Sequence, residues 1–193
     1  KMSATELKRS VPDILNDLNY TVGLMDNLLQ WAKAQMKADA IHPEKVNIGE
    51  SVEEVMLLLG LQAKSKRIHI QNKTRPGMYG YVDRNMNILV LRNLLSNAIK
   101  FTPENGTISV GAHEHSSFIE IYVKDSGVGI SPESIRKINN NDFYSTKGTA
   151  SESGTGLGLL LCKEFLAKNN SRLHIESEPG TGSIFSYSIP MCA

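Results

Sequence analysis

Apolar side chains in the first 36 residues recur at alternating spacings of four and three. They are Val11, Leu15, Leu18, Val22, Met25, Leu29, Ala32 and Met36. This heptad pattern is typical of a helix about 39 Å long that packs against a partner helix, and it favours that role over a cofactor-binding box. A single helix cannot bury such a stripe alone. We therefore expect a second helix, either from another copy of the chain or from a missing part of the same protein.

From residue 48 onwards the pattern becomes one of alternating helices and strands. It predicts helices at about 51–64, 83–100, 132–138 and 157–168. Strands are predicted at 68–72, 79–82, 107–112, 118–124, 172–177 and 183–189. Pro43 marks a break before this region. The sequence thus divides into a helical segment (1–38), a connector (39–47) and an α/β domain (48–190).

Composition excludes several classes of function. The balance of 21 basic against 20 acidic residues argues against a dedicated nucleic-acid binder. Two cysteines are too few for a disulfide framework, which favours a reduced, cytoplasmic chain. No apolar stretch reaches the roughly 18 residues of a membrane span, so we expect no membrane contact by this chain. Since the first residue is Lys1, the sequence is compatible with a piece of a longer protein, whose parent could be anchored in the inner membrane.

Two glycine clusters indicate a nucleotide site. In residues 125–130 (DSGVGI) a carboxylate follows an apolar run, and in 154–159 (GTGLGL) glycines open an apolar helix. Glycines let the backbone approach a ligand closely, and helix N-termini attract anions. Asp125 could accept a hydrogen bond from an adenine amine, whereas guanine offers a carbonyl there. An unpaired buried acceptor costs roughly 1–3 kcal/mol, or about ten- to a hundred-fold in favour of ATP over GTP.

The helix predicted at 83–100 carries a polar stripe at Asn93, Asn97 and Lys100. A solvated helix face would explain it, but amide oxygens are also suitable Mg²⁺ ligands and a lysine can screen phosphate charge. Residues 139–153, here called the lid segment, are polar and long enough to close over a ligand. Its Lys147 could be solvated in the free state and move onto terminal phosphates. Neither a dinucleotide fingerprint nor a G-x-x-x-x-G-K-[ST] loop is present in the sequence.

Taken in this order, the motifs resemble those of sensor histidine kinases, in the superfamily that includes gyrase-type ATPases and MutL. The matching segments are 93–103 (N box), 125–130 (first glycine box), 143–147 (lid F box), 154–159 (second glycine box) and 180–185 (last glycine box). The resemblance covers about residues 48–190. It implies a two-layer α/β sandwich, in which a mixed sheet is backed by helices around a Bergerat-type ATP site.

The resemblance also implies roles for individual residues. Asn97 would coordinate Mg²⁺ with Asn93 beside it, and Lys100 would contact phosphate. Asp125 would read the adenine amine, and Ser183 would support that contact through water. The remaining nucleotide-binding positions would be Gly127, Gly129, Ile130, Phe143, Lys147, Gly154, Gly156, Leu157, Gly158 and Leu159.

The residue types at two positions narrow the implied chemistry. Gyrase-type hydrolases carry Glu where this chain has Asn93, and an amide cannot act as a general base at neutral pH. A side chain is therefore favoured over water as the acceptor of the γ-phosphoryl group. Related kinases carry an acceptor His on a helix before the heptad helix, but no His precedes His42 here. The expected chain is the ATP-binding part of a histidine kinase that does not phosphorylate itself.

The partners that this resemblance implies are the acceptor-His helix of the parent kinase, a response regulator or receiver domain, and a second copy through the heptad helix. Two other functions stay open. An anti-sigma-type serine kinase resembles the same motifs, although the heptad helix argues for the histidine kinase. A nucleotide-sensing or dimerisation module without turnover is the second, and the presence of the acid, both asparagines and both glycine clusters argues against it.

Overall fold

The computed structural model describes residues 42–142, 145–150, 152 and 156–192, together with Leu18, Thr21, Met25 and Leu29. Most of the predicted heptad helix thus lies outside the described residues, and its partner helix stays a prediction. The four described positions are helical. Three of them keep large apolar side chains exposed, with 58% exposure for Leu18, 66% for Met25 and 54% for Leu29.

Seven strands form two sheets in the described ranges. The strands are β1 (Glu44–Asn47), β2 (His69–Asn72), β3 (Tyr79–Val82), β4 (Thr107–Glu114), β5 (Phe118–Asp125), β6 (His174–Glu178) and β7 (Gly182–Pro190). β1 and β3 pair antiparallel in the small sheet. The main sheet is mixed, in the order β2-β4-β5-β7-β6, with β2 and β4 parallel and the other pairs antiparallel.

In the described residues from 42 onwards, four helices accompany these strands: α1 (Ile48–Ser65), α2 (Arg84–Phe101), α3 (Pro132–Asn139) and α4 (Gly158–Lys168). The sequence predicted each of them to within a few residues. Asp83 caps α2 as predicted, because its side chain accepts a hydrogen bond from the amide of Met86 at 3.1 Å. None of the helices in the described part of the chain is both long and apolar enough to span a membrane.

The core lies between the helices and the main sheet. Buried side chains from three helices meet the buried side of the central strands; they include Val52, Val55, Leu91, Leu95, Leu161, Phe165, Ile121, Val123 and Tyr187. This layering confirms the predicted two-layer α/β sandwich.

The one strand that the sequence did not predict is β1, inside the segment interpreted as a connector. It has four residues and one buried side chain, Val46. The strand begins directly after Pro43 and is too short to show an alternating apolar pattern in the sequence. The strand forms because β3 supplies its hydrogen-bonding partner, with Glu44 opposite Val82.

Candidate functional site

A cavity of about 520 Å³ lies between α2, the turn after β5, the start of α4 and the lid segment. This volume is in the range of small-molecule and cofactor sites. The predicted site residues that line it are Asn93, Asn97, Lys100, Asp125, Gly129, Ile130, Lys147, Gly156, Leu157, Gly158, Leu159 and Ser183. Phe143 and Gly154 lie outside the described residues. Gly127 does not line the cavity, but its amide donates a hydrogen bond to Asp125, which does.

Asp125 is the buried acid of the cavity. It is the last residue of β5, stands opposite Ser183 of β7, and is only 5% exposed. The backbone amide of Gly127 donates to its Oδ1 at 2.8 Å. Burial raises the pKa of Asp125, while hydrogen bonds from the backbone of Gly127 and Ser183 oppose the rise. The result is a buried carboxyl group, for which a matching donor from a ligand would be favourable.

The turn that follows Asp125 packs directly on the turn between β6 and β7. Gly129 has a φ of +69°, and a Cβ there would come within 2.0 Å of the carbonyl oxygen of Glu178. The amide of Gly180 donates to the carbonyl of Val128 at 2.8 Å. A Cβ on Gly127 would meet the carbonyl oxygen of Phe101 at 2.6 Å. Backbone contact therefore requires glycine at both positions, whether or not a ligand is bound.

Ser177 connects the two turns and was not predicted to matter. Its hydroxyl donates to the carbonyl of Gly182 at 2.8 Å and accepts from the amide of Ile130 at 2.8 Å. Ser177 Oγ also lies 2.9 Å from Ser183 Oγ. Because the single proton of Ser177 is used on Gly182, Ser183 is the donor in this pair. The lone pairs of Ser183 stay available beside Asp125, as its predicted water-bridging role requires.

The polar stripe of α2 forms one wall of the cavity. The Asn93 amide group donates to the carbonyl of Leu89 at 3.0 Å. A Cβ on Gly158 would lie 3.0 Å from Asn93 Oδ1, so α4 begins close against this wall. In the described part of the chain, the half-buried side chain of Asn97 has no hydrogen-bond partner. Its amide oxygen is thus available to a ligand.

Two lysines bring positive charge to the cavity wall. Lys100 and the exposed Lys147 both line it. The ammonium of Lys100 donates to the carbonyl of Thr146 at 3.0 Å. Burial lowers the pKa of Lys100, although the nearby Glu152 carboxylate opposes the shift. An anion bound beside this ammonium would compensate for the solvation that the charge loses through burial.

The start of α4 adds backbone donors to the cavity. The helix begins at Gly158 after Leu157, whose side chain has no polar atom with which to cap it. Gly156, with a φ of +70°, turns the chain into the helix. The free amides and the dipole at a helix N-terminus attract anions. A cavity that combines a buried acid with anion-binding groups fits a ligand that carries a base and phosphates.

Lys163 of α4 also lines the cavity and was not predicted. Its ammonium donates to the carbonyl of Asn139 at 3.0 Å, to Asn141 Oδ1 at 2.8 Å and to the carbonyl of Ile138. Burial lowers its pKa. In the sequence Lys163 is one of two lysines in a mainly apolar helix, and the spacing gives no sign that it holds the end of α3.

No cluster of three or more His, Cys, Asp or Glu side chains suited to a metal occurs within residues 42–142, 145–150, 152 and 156–192. A cation in this cavity would therefore depend on amide oxygens and on oxygens of the ligand. Asn97 offers a hard amide oxygen that has no partner among the described residues, and it fits Mg²⁺, which commonly keeps waters and takes phosphate oxygens.

Comparison with known proteins gives the family. The profile of histidine kinase-, DNA gyrase B- and HSP90-like ATPases matches residues 83–193, more than half of the chain. Histidine protein kinase DivJ of Caulobacter vibrioides is 31% identical over 175 residues, which cover 89% of this chain and 29% of DivJ. The chain therefore belongs to this ATPase family.

Solved structures agree with the assignment. The catalytic domain of histidine kinase ThkA, in a nucleotide-free form, superposes with a TM-score of 0.69 at 29% identity and covers 78% of this chain and 97% of that domain. ThkA in complex with response regulator protein TrrA gives a TM-score of 0.75 at 24% identity, over 98% of this chain and 53% of ThkA, and supports the fold. Within the family, this domain is the catalytic ATP-binding domain of the sensor histidine kinase type.

Proposed function

We propose that this chain binds Mg²⁺–ATP and transfers the γ-phosphoryl group to a histidine on a helix that is not part of this sequence. The observation that supports it most is that one cavity is lined by the buried acid Asp125, by Lys100 and Lys147, and by the start of α4. That charge distribution matches adenine followed by a triphosphate. Membership of the ATPase family supports nucleotide use.

Each part of the cavity would contribute to positioning the nucleotide. Asp125 would accept a hydrogen bond from the adenine amine, with Ser183 beside it. Asn97 would hold Mg²⁺, which neutralises phosphate charge when bound. Lys100 and Lys147 would stabilise negative charge on the transferred group. Phosphoryl transfer needs mainly alignment and electrostatic stabilisation, and these groups could supply both.

The acceptor would be a side chain because α2 offers no general base. Asn93 occupies the first position of the stripe, and its amide cannot remove a proton from water at neutral pH. The acceptor would belong to a helix of the parent kinase. By analogy with ThkA, which was solved with a response regulator protein, such a regulator is the proposed later partner.

Nucleotide binding tests the first half of this proposal. The Asp125→Asn variant should weaken ATP binding about ten- to a hundred-fold and reduce the preference for ATP over GTP. Asp142→Asn is the matched control, because Asp142 is exposed and lines the same cavity, so that both variants remove one charge. Equal losses for the two variants would show a general charge effect and refute adenine recognition by Asp125.

Radiolabel transfer tests the second half. Incubated alone with γ-labelled ATP and Mg²⁺, the chain should acquire no acid-labile label. Stable acid-labile label on this chain would contradict the proposed location of the acceptor. Acid-stable label on a serine of a partner protein would instead indicate the alternative serine kinase.

A further inference from the structure

Lys66 is a buried lysine at the C-terminal end of α1, far in sequence from every predicted site residue. It is 9% exposed. Its ammonium donates to the carbonyls of Ile99 at 2.8 Å and Lys100 at 3.0 Å. It also reaches Thr149 Oγ1 at 2.7 Å and Glu152 Oε1 at 3.0 Å. Two of these acceptors belong to the last turn of α2 and two to the lid segment, so one ammonium joins them.

The described part of the lid segment is folded around this contact. The amide of Thr149 donates to the carbonyl of Lys100 at 3.0 Å, and that of Gly148 donates to the carbonyl of Glu152 at 2.9 Å. The amide of Ala150 donates to Glu152 Oε2 at 2.8 Å. Glu152 thus takes Lys66 on one carboxylate oxygen and a backbone amide on the other. Loss of this carboxylate would release both contacts.

The ionisation of Glu152 reflects the same arrangement. Burial by itself would raise the pKa of Glu152, but hydrogen bonds from its own amide, from Lys66 and from Ala150, together with the Lys66 charge, bring it below the ordinary value of 4.5. The ion pair therefore exists at neutral pH, and its contribution is lost only as the pH falls through that lowered pKa.

The anchored stretch adjoins the cavity-lining residues that would contact the phosphates. Thr146 and Lys147 line the cavity immediately before Gly148. Lys100, whose carbonyl accepts from Lys66, donates from its own ammonium to the carbonyl of Thr146 at 3.0 Å. Both candidate phosphate-binding lysines are therefore connected to the contact that Lys66 makes.

We propose that Lys66 is a positioning residue that fixes the lid segment to the end of α2, through Glu152 and Thr149, and so places Lys100 and Lys147 for the phosphates. The inference rests on the proposed ATP binding. It also has a consequence without nucleotide, because the amides of residues 148–150 should be protected by the anchor alone. Adenosine, which has no phosphates, should bind independently of Lys66.

Hydrogen exchange of the nucleotide-free chain provides the first measurement. Lys66→Met keeps the length of the side chain and removes its charge. It should speed exchange at residues 148–150 by about tenfold or more, as expected when a partly buried charge-assisted network is lost. Glu152→Gln should speed it less, because the amide oxygen can still accept from Ala150. Arg67→Met is the matched control, since Arg67 pairs with Glu104 at 4.0 Å in an exposed contact away from the lid.

Nucleotide titration provides the second measurement. ATP should bind Lys66→Met and Glu152→Gln at least severalfold more weakly than the control, with adenosine affinity unchanged in all three. Exchange at 148–150 equal to that of Arg67→Met would overturn the proposal, as would faster exchange with unchanged ATP affinity. Should Lys66→Met fail to fold, Glu152→Gln decides by the same criteria. Should the wild-type chain fail to bind ATP, the proposed function falls while the exchange result still tests the anchor.

Discussion

Gly129→Ala should damage both the fold and the site, for two separable reasons. The φ of +69° places the residue in the left-handed region, which costs an alanine roughly 1–2 kcal/mol. The new Cβ would also lie 2.0 Å from the carbonyl oxygen of Glu178, a backbone atom that cannot rotate away. Overpacking of this kind typically adds about 1–3 kcal/mol. The free energy of unfolding should therefore fall by roughly 2–5 kcal/mol.

Gly180→Ala isolates the backbone-strain contribution. Gly180 has a φ of +83° and no atom within 4 Å of its added Cβ, so that only the backbone strain applies. Denaturant unfolding should show a loss of roughly 1–2 kcal/mol for this control. ATP titration should show a loss of tenfold or more only for Gly129→Ala, because the displaced turn carries Asp125 with it. Equal losses in both assays for the two variants would refute the steric explanation.

Three further predictions concern charged side chains. Burial raises the pKa of Asp125, so the folded state keeps that proton to a higher pH than the unfolded chain does. Asp125→Asn should therefore increase the free energy of unfolding at pH 7. In a series of denaturation curves at different pH, this gain should vanish below about pH 3.8. Burial lowers the pKa of Lys100, so ATP affinity should start to fall with rising pH before 10.5, whereas Lys100→Arg should flatten this decline. Lys163→Met removes the contacts to Asn139 and Asn141, and should lower the free energy of unfolding by about 1 kcal/mol and weaken ATP binding, as measured by denaturation and titration.

The parts of the fold that the sequence predicted are those with strong local patterns. The helix with Asn93 and Asn97 has an apolar face and an Asp83 cap, and both signals survive in the structure. The glycine clusters predicted close backbone approaches, and at Gly129 the approach of the Glu178 carbonyl excludes a side chain.

The residues that escaped prediction depend on contacts between distant segments. Lys66 stands in a basic run with Lys64 and Arg67, which in sequence is typical of a solvated helix end. Its burial arises from acceptors 33 to 86 residues away. Ser177 is likewise one serine in a polar strand until β7 and the first glycine turn surround it. Local spacing holds no information about either contact.

A crystal structure of the chain with a non-hydrolysable ATP analogue and Mg²⁺ would test the proposed site most directly. The adenine amine should lie about 2.8–3.2 Å from a carboxylate oxygen of Asp125, with the phosphates beside Lys100 and the start of α4. A purine bound away from Asp125, or phosphates bound away from Lys100 and the start of α4, would contradict the proposed recognition of ATP.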